Sequence, residues 1–477
     1  MNKPVIFGAG AAIVALGAAP YFIGNSVQQR VNAAITGIND MPVYSANVVS
    51  YEKGWFSSTA DIELAFDLNA LMAAQQLDPQ EVPTEENPSI MATLVAHHGP
   101  VFFSNDVGIG KVQYTVSIDA EALREHMSWD KNKPLYINTG AIGLLGGLAY
   151  SDEIPAFVAE GEDGFSASFS GFKGKANQQG ENIVYTSEKS SFAMSDNTFS
   201  FSMNDLDMTM TFKGDFMKAL KGELFESEAT ANIASIIVAG LDEQEGEVKL
   251  DKLSFVTNTE INEATNTANV YVEYALEKAV GPDMEASDMA LGLAINNLEL
   301  DFVKAYQEFN NNALTVPADQ LGDKLKGFVQ DNLLSQLQVE PEINITKLKA
   351  TVPEGSFTAQ ANTKLVGITA LPGTMEDAAY WISHLLADAK ISADKAFAES
   401  MTSGYMMGQI LANPQAQNMS AEEVKAAADQ QAPMMLNAFA EQGFLKITEQ
   451  GYETDLEFKD GKATVNGTPI PLPFAPQ

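Results

Sequence analysis

Imidazole is the commonest metal ligand and general base in proteins, and this chain has four: His97, His98, His126 and His384. His97 and His98 adjoin in AHHGP (96–100). On a strand, adjacent side chains point to opposite faces, so one metal ion could not easily take both. A structural place before the Gly99–Pro100 turn fits them better. His126 and Asp130, in HMSWD, are four residues apart. On a helix that spacing puts two ligands on one face, but a third ligand is missing. There is no cysteine, which excludes thiolate metal sites, thiol nucleophiles and disulfides. The H-E-x-x-H and G-x-S-x-G patterns are absent, and VGIGK (107–111) and GFKGKA (171–176) lack P-loop spacing. No catalytic, cofactor-binding or metal-ligating residue is therefore assigned, and no cofactor is expected.

The charge narrows the partners. Lys and Arg total 28 against 63 Asp and Glu, a net charge of −35. Nucleic-acid binding needs a basic footprint that releases counterions, so nucleic acid is excluded as a partner. The same charge opposes purely electrostatic docking to anionic lipid. No Asp-rich calcium loop occurs, and the acidity reads as solubility.

Residues Pro4 to Gly24, PVIFGAGAAIVALGAAPYFIG, carry no charge. About 20 apolar residues of helix span the hydrocarbon core of a bilayer. Lys3 precedes the run and Arg30 follows it, a slight bias toward an N-terminus inside and the bulk of the chain outside. Tyr21 and Phe22 would sit at the outer interface. A cleaved signal peptide is the competing reading, but Pro20 after Gly17–Ala19 disfavours cleavage there.

Beyond residue 43, period-2 alternation dominates. It is clear at Ala60, Ile62, Leu64 and Phe66, at Val112 to Ile118, at Leu206, Met208, Met210 and Phe212, at Val270 to Tyr274, at Met289 to Ile295 and at Tyr452 to Phe458. Such strands have one buried and one wet face, and the short turn signals between them predict antiparallel meanders. Helical spacing is expected over 67–77, over 317–338, and through the Ala- and Met-rich region 375–443. There Ser420 and Glu423 form a capping box, Pro433 should kink or split the last helix, and Gly443 ends it. The stretch LLADAKISADKAF inside that region also alternates, so a strand could interrupt the helices. DPQEVPTEENP (78–88) reads as an exposed loop. The Pro-rich tail GTPIPLPFAPQ cannot form an inner strand. The expected fold is thus α+β and β-dominated: an N-terminal transmembrane helix (1–30), a β-rich antiparallel body (31–374), and a helix-rich C-terminal part (375–477) ending in a hairpin. Leu206, Met208, Met210 and Phe212 are the candidate lining of an apolar groove, the plain alternative being core filling.

The stretch SYEKGWFSSTADIELAF (50–66) predicts the first hairpin. Gly54 supplies a positive φ at its turn, Phe56 lies on the buried face with Ser58 and Ala60, and Trp55 lies on the other. This stretch resembles the Tyr-x-x-Gly-x-Phe-Ser-Ser signature of the YdgA-like family of bacterial envelope proteins, at Tyr51, Gly54, Phe56, Ser57 and Ser58. Further matches are HGP at His98, Gly99 and Pro100, then VEYALEKA, AYQEFN and DAKISADKAFAESM, and last VNGTPIPL with Asn466 and Gly467. The resemblance implies a single-pass inner-membrane protein of Gram-negative bacteria with a large periplasmic part. It carries over no catalytic residue. A looser likeness to AsmA-type proteins suggests lipid handling by analogy alone.

The expectation is a non-enzymatic envelope protein, held in the inner membrane through residues 4–24, that binds or moves lipid or another apolar ligand in a β groove. The alternatives are a scaffold for an envelope protein partner and, more remotely, a hydrolase using His98 or His126.

Overall fold

The computed structural model describes residues 23–40, 44–66, 89–102, 108–161, 164–213, 224–240, 246–282, 284–313, 316, 318–412 and 419–471. The expected membrane segment up to residue 22, the connector 67–77, the loop 78–88 and the end of the tail lie outside them. Among the described residues, no helix is long and apolar enough to cross a membrane. The described residues are β-dominated, with a large antiparallel sheet and six helices among them. The chain forms two compact units: residues 1–232 with 303–330, and residues 233–302 with 331–477.

In unit 1 the alternating segments pair as expected. β1 (Tyr44–Lys53), β2 (Ser57–Phe66), β3 (Ser89–His98), β6 (Val112–Ile118), β8 (Tyr136–Ile142), β9 (Leu148–Ile154), β12 (Phe172–Gln179), β13 (Asn182–Ser187) and β15 (Phe199–Lys213) are successive antiparallel neighbours. A second row joins β15 through β14 (Ser190–Ser195), β11 (Ser166–Phe169) and β10 (Phe157–Glu160) to β7 (Met127–Trp129). A small hairpin, β4 (Val101–Phe102) with β5 (Gly108–Ile109), stands beside β3.

The first helix, α1 (23–39), lies on this sheet. Val27 and Val31 are buried against Ala96 and Val112, with Ile23, Ile35, Val48, Tyr51, Leu94 and Tyr114 packed around them. The helix face is Ile23, Val27, Val31 and Ile35, an i, i+4 stripe. Ala60 and Ala96 beneath it are fully buried. Small residues there let the helix approach the sheet. Asn39 closes the passage into β1 by bonding both backbone groups of Ala46.

Unit 2 is a meander of long strands: β17 (Glu247–Asn262), β18 (Thr267–Gly281), β19 (Met284–Glu299), β20 (Glu342–Val352), β21 (Gly355–Leu365), β22 (Leu385–Asp394), β24 (Gly451–Lys459), β25 (Lys462–Val465) and β26 (Thr468–Ile470), each antiparallel to the next. β16 (Ser227–Gly240) precedes them, and β23 (Lys446–Ile447) pairs with β24. Between β19 and β20 the chain makes α2 (Leu300–Ala313) and α3 (Ala318–Gln338). Glu299 is buried and caps α2, accepting from the backbone N–H groups of Asp301 and Phe302.

The 375–443 region resolves its ambiguity in favour of both readings. α4 (Ala378–His384) is followed by strand β22, then α5 (Lys395–Ala412) and α6 (Ala421–Glu441). The Ser420–Glu423 capping box forms, and Gly443 takes φ +81° just past the end. Pro433 does not split α6, which is one helix over 21 residues. Its buried stripe Val424, Ala428, Ala432 and Leu436 faces α5 on both sides of the proline, so packing holds the helix across one missing backbone hydrogen bond. Among the described residues β26, with Pro469, is bonded to β25 alone, as suits a proline strand.

Candidate functional site

The signature residues from Tyr51 to Pro100 converge on one junction at the end of the unit 1 sheet. β2 places Ser58 and β3 places His98 on the face beneath α1, and both are 2% exposed. Ser58 Oγ is 3.0 Å from His98 Nε2, and His98 Nδ1 is 3.4 Å from the Trp55 carbonyl. The carbonyl can only accept, so Nδ1 carries the proton and Nε2 accepts from the serine hydroxyl. Burial pushes the His98 imidazole below its ordinary pKa, with Lys53 and His97 adding to the shift against the opposing Trp55 bond. The Gly24 backbone lies on the ring: a Cβ there would come within 2.5 Å of His98 Cε1. Hydroxyl, imidazole and an orienting acceptor form the constellation of a nucleophile and its base, here closed to solvent and lacking a carboxylate.

The surrounding signature residues build this junction. The Gly54 N–H donates to the Ser57 carbonyl at 2.8 Å, and the His98 N–H donates to the Phe56 carbonyl at 2.7 Å. The Gly99–Pro100 peptide is cis. The Gly99 N–H bonds the Lys111 carbonyl, and a Cβ on Gly99 would overlap the Gly110 carbonyl at 1.6 Å, so no other residue fits. Tyr51 packs under α1, and its buried hydroxyl has no hydrogen-bond partner among the described residues. At the far end of the chain, Asn466 (φ +52°) and Gly467 (φ +79°) make the two-residue turn between β25 and β26. The Asn466 side chain also bonds the Asp455 N–H and the Gly443 carbonyl.

Several expectations are corrected here. Phe56 is not buried: β2 begins at Ser57, so Phe56 lies in a bend outside the alternation and is 65% exposed. Gly54 is not among the positive-φ glycines; its Cβ position is crowded by the Ser57 carbonyl at 3.2 Å instead. His126 and Asp130 are not on a helix, because β7 separates them. Among the described residues, no group of three or more His, Asp or Glu side chains could hold a metal ion. Phe212 is buried with Ala176 and Ile183, Met210 packs on that cluster, and Leu206 and Met208 are half-buried. That end of β15 fills a core.

An open apolar surface lies elsewhere, on one face of the unit 2 meander. The strand register aligns three cross-strand rows on it. One runs Phe255, Tyr274, Leu291, Leu348, Ala359, Ile391. The next runs Val272, Leu293, Ile345, Ala361, Ala389, Leu456, and the third runs Val270, Ile295, Ile343, with Phe458 beyond. Seven strands about 4.8 Å apart make a surface about 30 Å wide. Tyr274, Ile295, Ile343, Ile391 and Leu456 are all exposed, between 37% and 61%. The other face is polar, with Lys347–Glu273 (2.8 Å), Lys446–Asp455 (2.6 Å) and Asn362–Asp388 (2.8 Å) laced across it. One end of the apolar face is covered: Phe397 of α5 stacks on Phe357 at 5.1 Å, in the row that also holds Ala393 and the buried Tyr452. On the polar face, Lys364 is paired with Glu340 and Glu342 beside a cleft of about 390 Å³.

Unit 1 has a smaller counterpart. Trp129, Phe157, Phe169, Phe192 and Met203 face one another across β7, β10, β11, β14 and β15. Phe157, Phe169 and Phe192 border a cleft of about 420 Å³. Arg124 stacks over Trp129 at 3.8 Å.

The alternations at Val270–Tyr274 and Met289–Ile295 were legible as strands, but not as an uncovered face. The partners Ile343 and Ile345 in EINITKLKATV alternate before the bulge at 346–347, and Leu348 rejoins their face only through that bulge, which spacing does not reveal. The stripe Ile23, Val27, Val31 and Ile35 was also missed, hidden by the apolar run ahead of it.

Comparison with curated proteins gave no match. The sequence profile of a family described as "Bacterial protein of unknown function (DUF945)" matches residues 1–473, and YdgA-like proteins are among its members. The chain therefore belongs to the DUF945 family of bacterial proteins.

Proposed function

We propose that this protein is a non-enzymatic component of the Gram-negative cell envelope, anchored in the inner membrane by residues 4–24 with its bulk in the periplasm, and that it binds lipid acyl chains on the apolar face of unit 2. The observation that carries the reading is that face. A soluble protein rarely leaves a contiguous apolar patch beyond a few hundred Å², yet here the aligned rows expose Tyr274, Ile295, Ile343, Ile391 and Leu456 on one face between β18 and β24. Its width of about 30 Å is room for acyl chains, each about half the thickness of a bilayer core. The sealed Ser58–His98 pair fits a structural bond better than a hydrolase, since both partners are closed to a substrate.

The test is lipid extraction and mass spectrometry of the detergent-purified chain, beside an Ile343→Asp/Ile391→Asp variant. Both sites are exposed, so the fold tolerates the change, while a buried carboxylate opposes an acyl chain. Co-purifying lipid that is lost in the variant is the expected result. Equal lipid in both, or none in either, would refute acyl-chain binding here and turn the reading to an envelope protein partner on the same face.

A further inference from the structure

In unit 1, β1, β3 and β8 run toward one end of the sheet, and β2, β6 and β9 leave from it. The connections 54–56, 99–111 and 143–147 therefore share that end. Backbone hydrogen bonds of 2.7 Å tie them into a row, from the His98 N–H to the Phe56 carbonyl, from the Gly99 N–H to the Lys111 carbonyl, and from the Lys111 N–H to the Ile142 carbonyl. The row presents Trp55, Phe56, Val101, Ile109, Leu144 and Leu145 to solvent. Ile109 is 73% exposed and Leu145 fully so. Single exposed hydrophobics need no explanation, but six on hydrogen-bonded neighbouring connections form a patch.

Three observations say what covers it. First, α1 begins at this same end, with Gly24 against His98 and the Lys53 ammonium donating to Asn25 Oδ1. The uncharged run Pro4–Phe22 stands directly ahead of it in the chain. Second, the charge is distributed unevenly. Residues 54–56 and 143–147 carry no charge, the connection 99–111 has one acid, Asp106, and Lys53 and Lys111 flank the row in a chain of net charge −35. The connections at the opposite end include Asp119, Glu121, Arg124, Glu125, Asp130, Lys131 and Lys133. Third, the patch has an edge: the next turn at this end, Gln178 to Glu181, is polar.

We propose that this end of unit 1 rests on the bilayer, with Trp55, Phe56, Ile109, Leu144 and Leu145 entering the leaflet from which the anchor emerges. Tryptophan at the headgroup level and lysines that reach past it suit such a surface. The contact is apolar, so it survives the repulsion that an acidic chain meets at anionic lipid. It rests on the anchor reading for residues 4–24 and is independent of acyl-chain binding by unit 2.

The absence of cysteine allows single-site spin labelling of the full chain. Labels at Ile109→Cys and Leu145→Cys, with Glu121→Cys as the far-end control, are read in phosphatidylcholine vesicles by collision with oxygen, which partitions into lipid, and with a nickel chelate, which stays in water. The expected result is oxygen-rich, nickel-poor labels at 109 and 145 and the reverse at 121. If all three labels face water while the chain resists alkaline extraction, the contact is overturned and the anchor stands. Alkaline release with the tips in lipid overturns the anchor and keeps the contact, whereas release with the tips in water overturns both. Labels immobilised by added envelope extract, yet closed to both reagents, overturn lipid as the occupant in favour of protein.

Discussion

The bond between Ser58 and His98 makes a quantitative prediction. Both residues are 2% exposed and 3.0 Å apart, so Ser58→Ala removes one oxygen and leaves His98 Nε2 buried without a donor. An orphaned buried acceptor costs about 1–3 kcal/mol, whereas the lost volume is that of a single atom. Urea unfolding followed by tryptophan fluorescence is the assay, with Trp381→Phe leaving Trp55 and Trp129 to report unit 1. The midpoint should fall with the slope unchanged. His98→Leu removes the acceptor as well, so the serine change should cost little in that background. The pH dependence has a definite sign. Burial holds the folded imidazole below its ordinary value of 6.5, so near and below pH 6.5 the unfolded chain binds a proton that the folded chain refuses. Stability therefore falls as pH drops through 6.5, by at most about 1.4 kcal/mol per pH unit, and levels off below the folded value. His98→Leu should flatten that slope. A Ser58→Ala cost under about 0.5 kcal/mol, the scatter of neutral surface changes, or an undiminished slope in His98→Leu, would refute the reasoning.

Other positions yield shorter tests. Gly24→Ala should destabilise unit 1 by about 1–3 kcal/mol through overlap with His98, outweighing the roughly 1 kcal/mol of helix propensity gained, as urea midpoints would show. Tyr51→Phe should leave stability unchanged or raise it by up to about 1 kcal/mol, because it deletes a buried hydroxyl without a partner among the described residues; a loss beyond that would reveal one. Gly451→Ala should disrupt the β22–β24 pairing, since its Cβ would lie 2.0 Å from the Ala393 carbonyl; amide exchange along Leu385–Asp394 should rise sharply. Ala428→Leu should overpack the fully buried α5–α6 seam and lower the melting temperature of unit 2, at a cost of about 1–3 kcal/mol.

The chain's own order determined a good deal about this protein. Period-2 alternation and short turns dictate antiparallel strands wherever they recur, because strand side chains alternate faces in any context. The capping box at Ser420, the Asn466–Gly467 turn and the edge position of Pro469 are equally local, since each depends on the φ/ψ or bonding capacity of one or two residues. Composition excludes thiol chemistry and disfavours nucleic acid for similar reasons. Which face of a strand is covered is another matter, because that depends on partners far away in sequence. Phe56 fits the apolar face of β2 by spacing but falls one residue before the strand begins. Ser58 and His98, 40 residues apart, become a bonded pair only when β2 and β3 align and α1 closes over them. Alternation alone could not distinguish Phe212, in a filled core, from Ile343, on an open face. Only the tertiary structure decided that, by laying a helix or a neighbouring side chain over one and leaving the other bare.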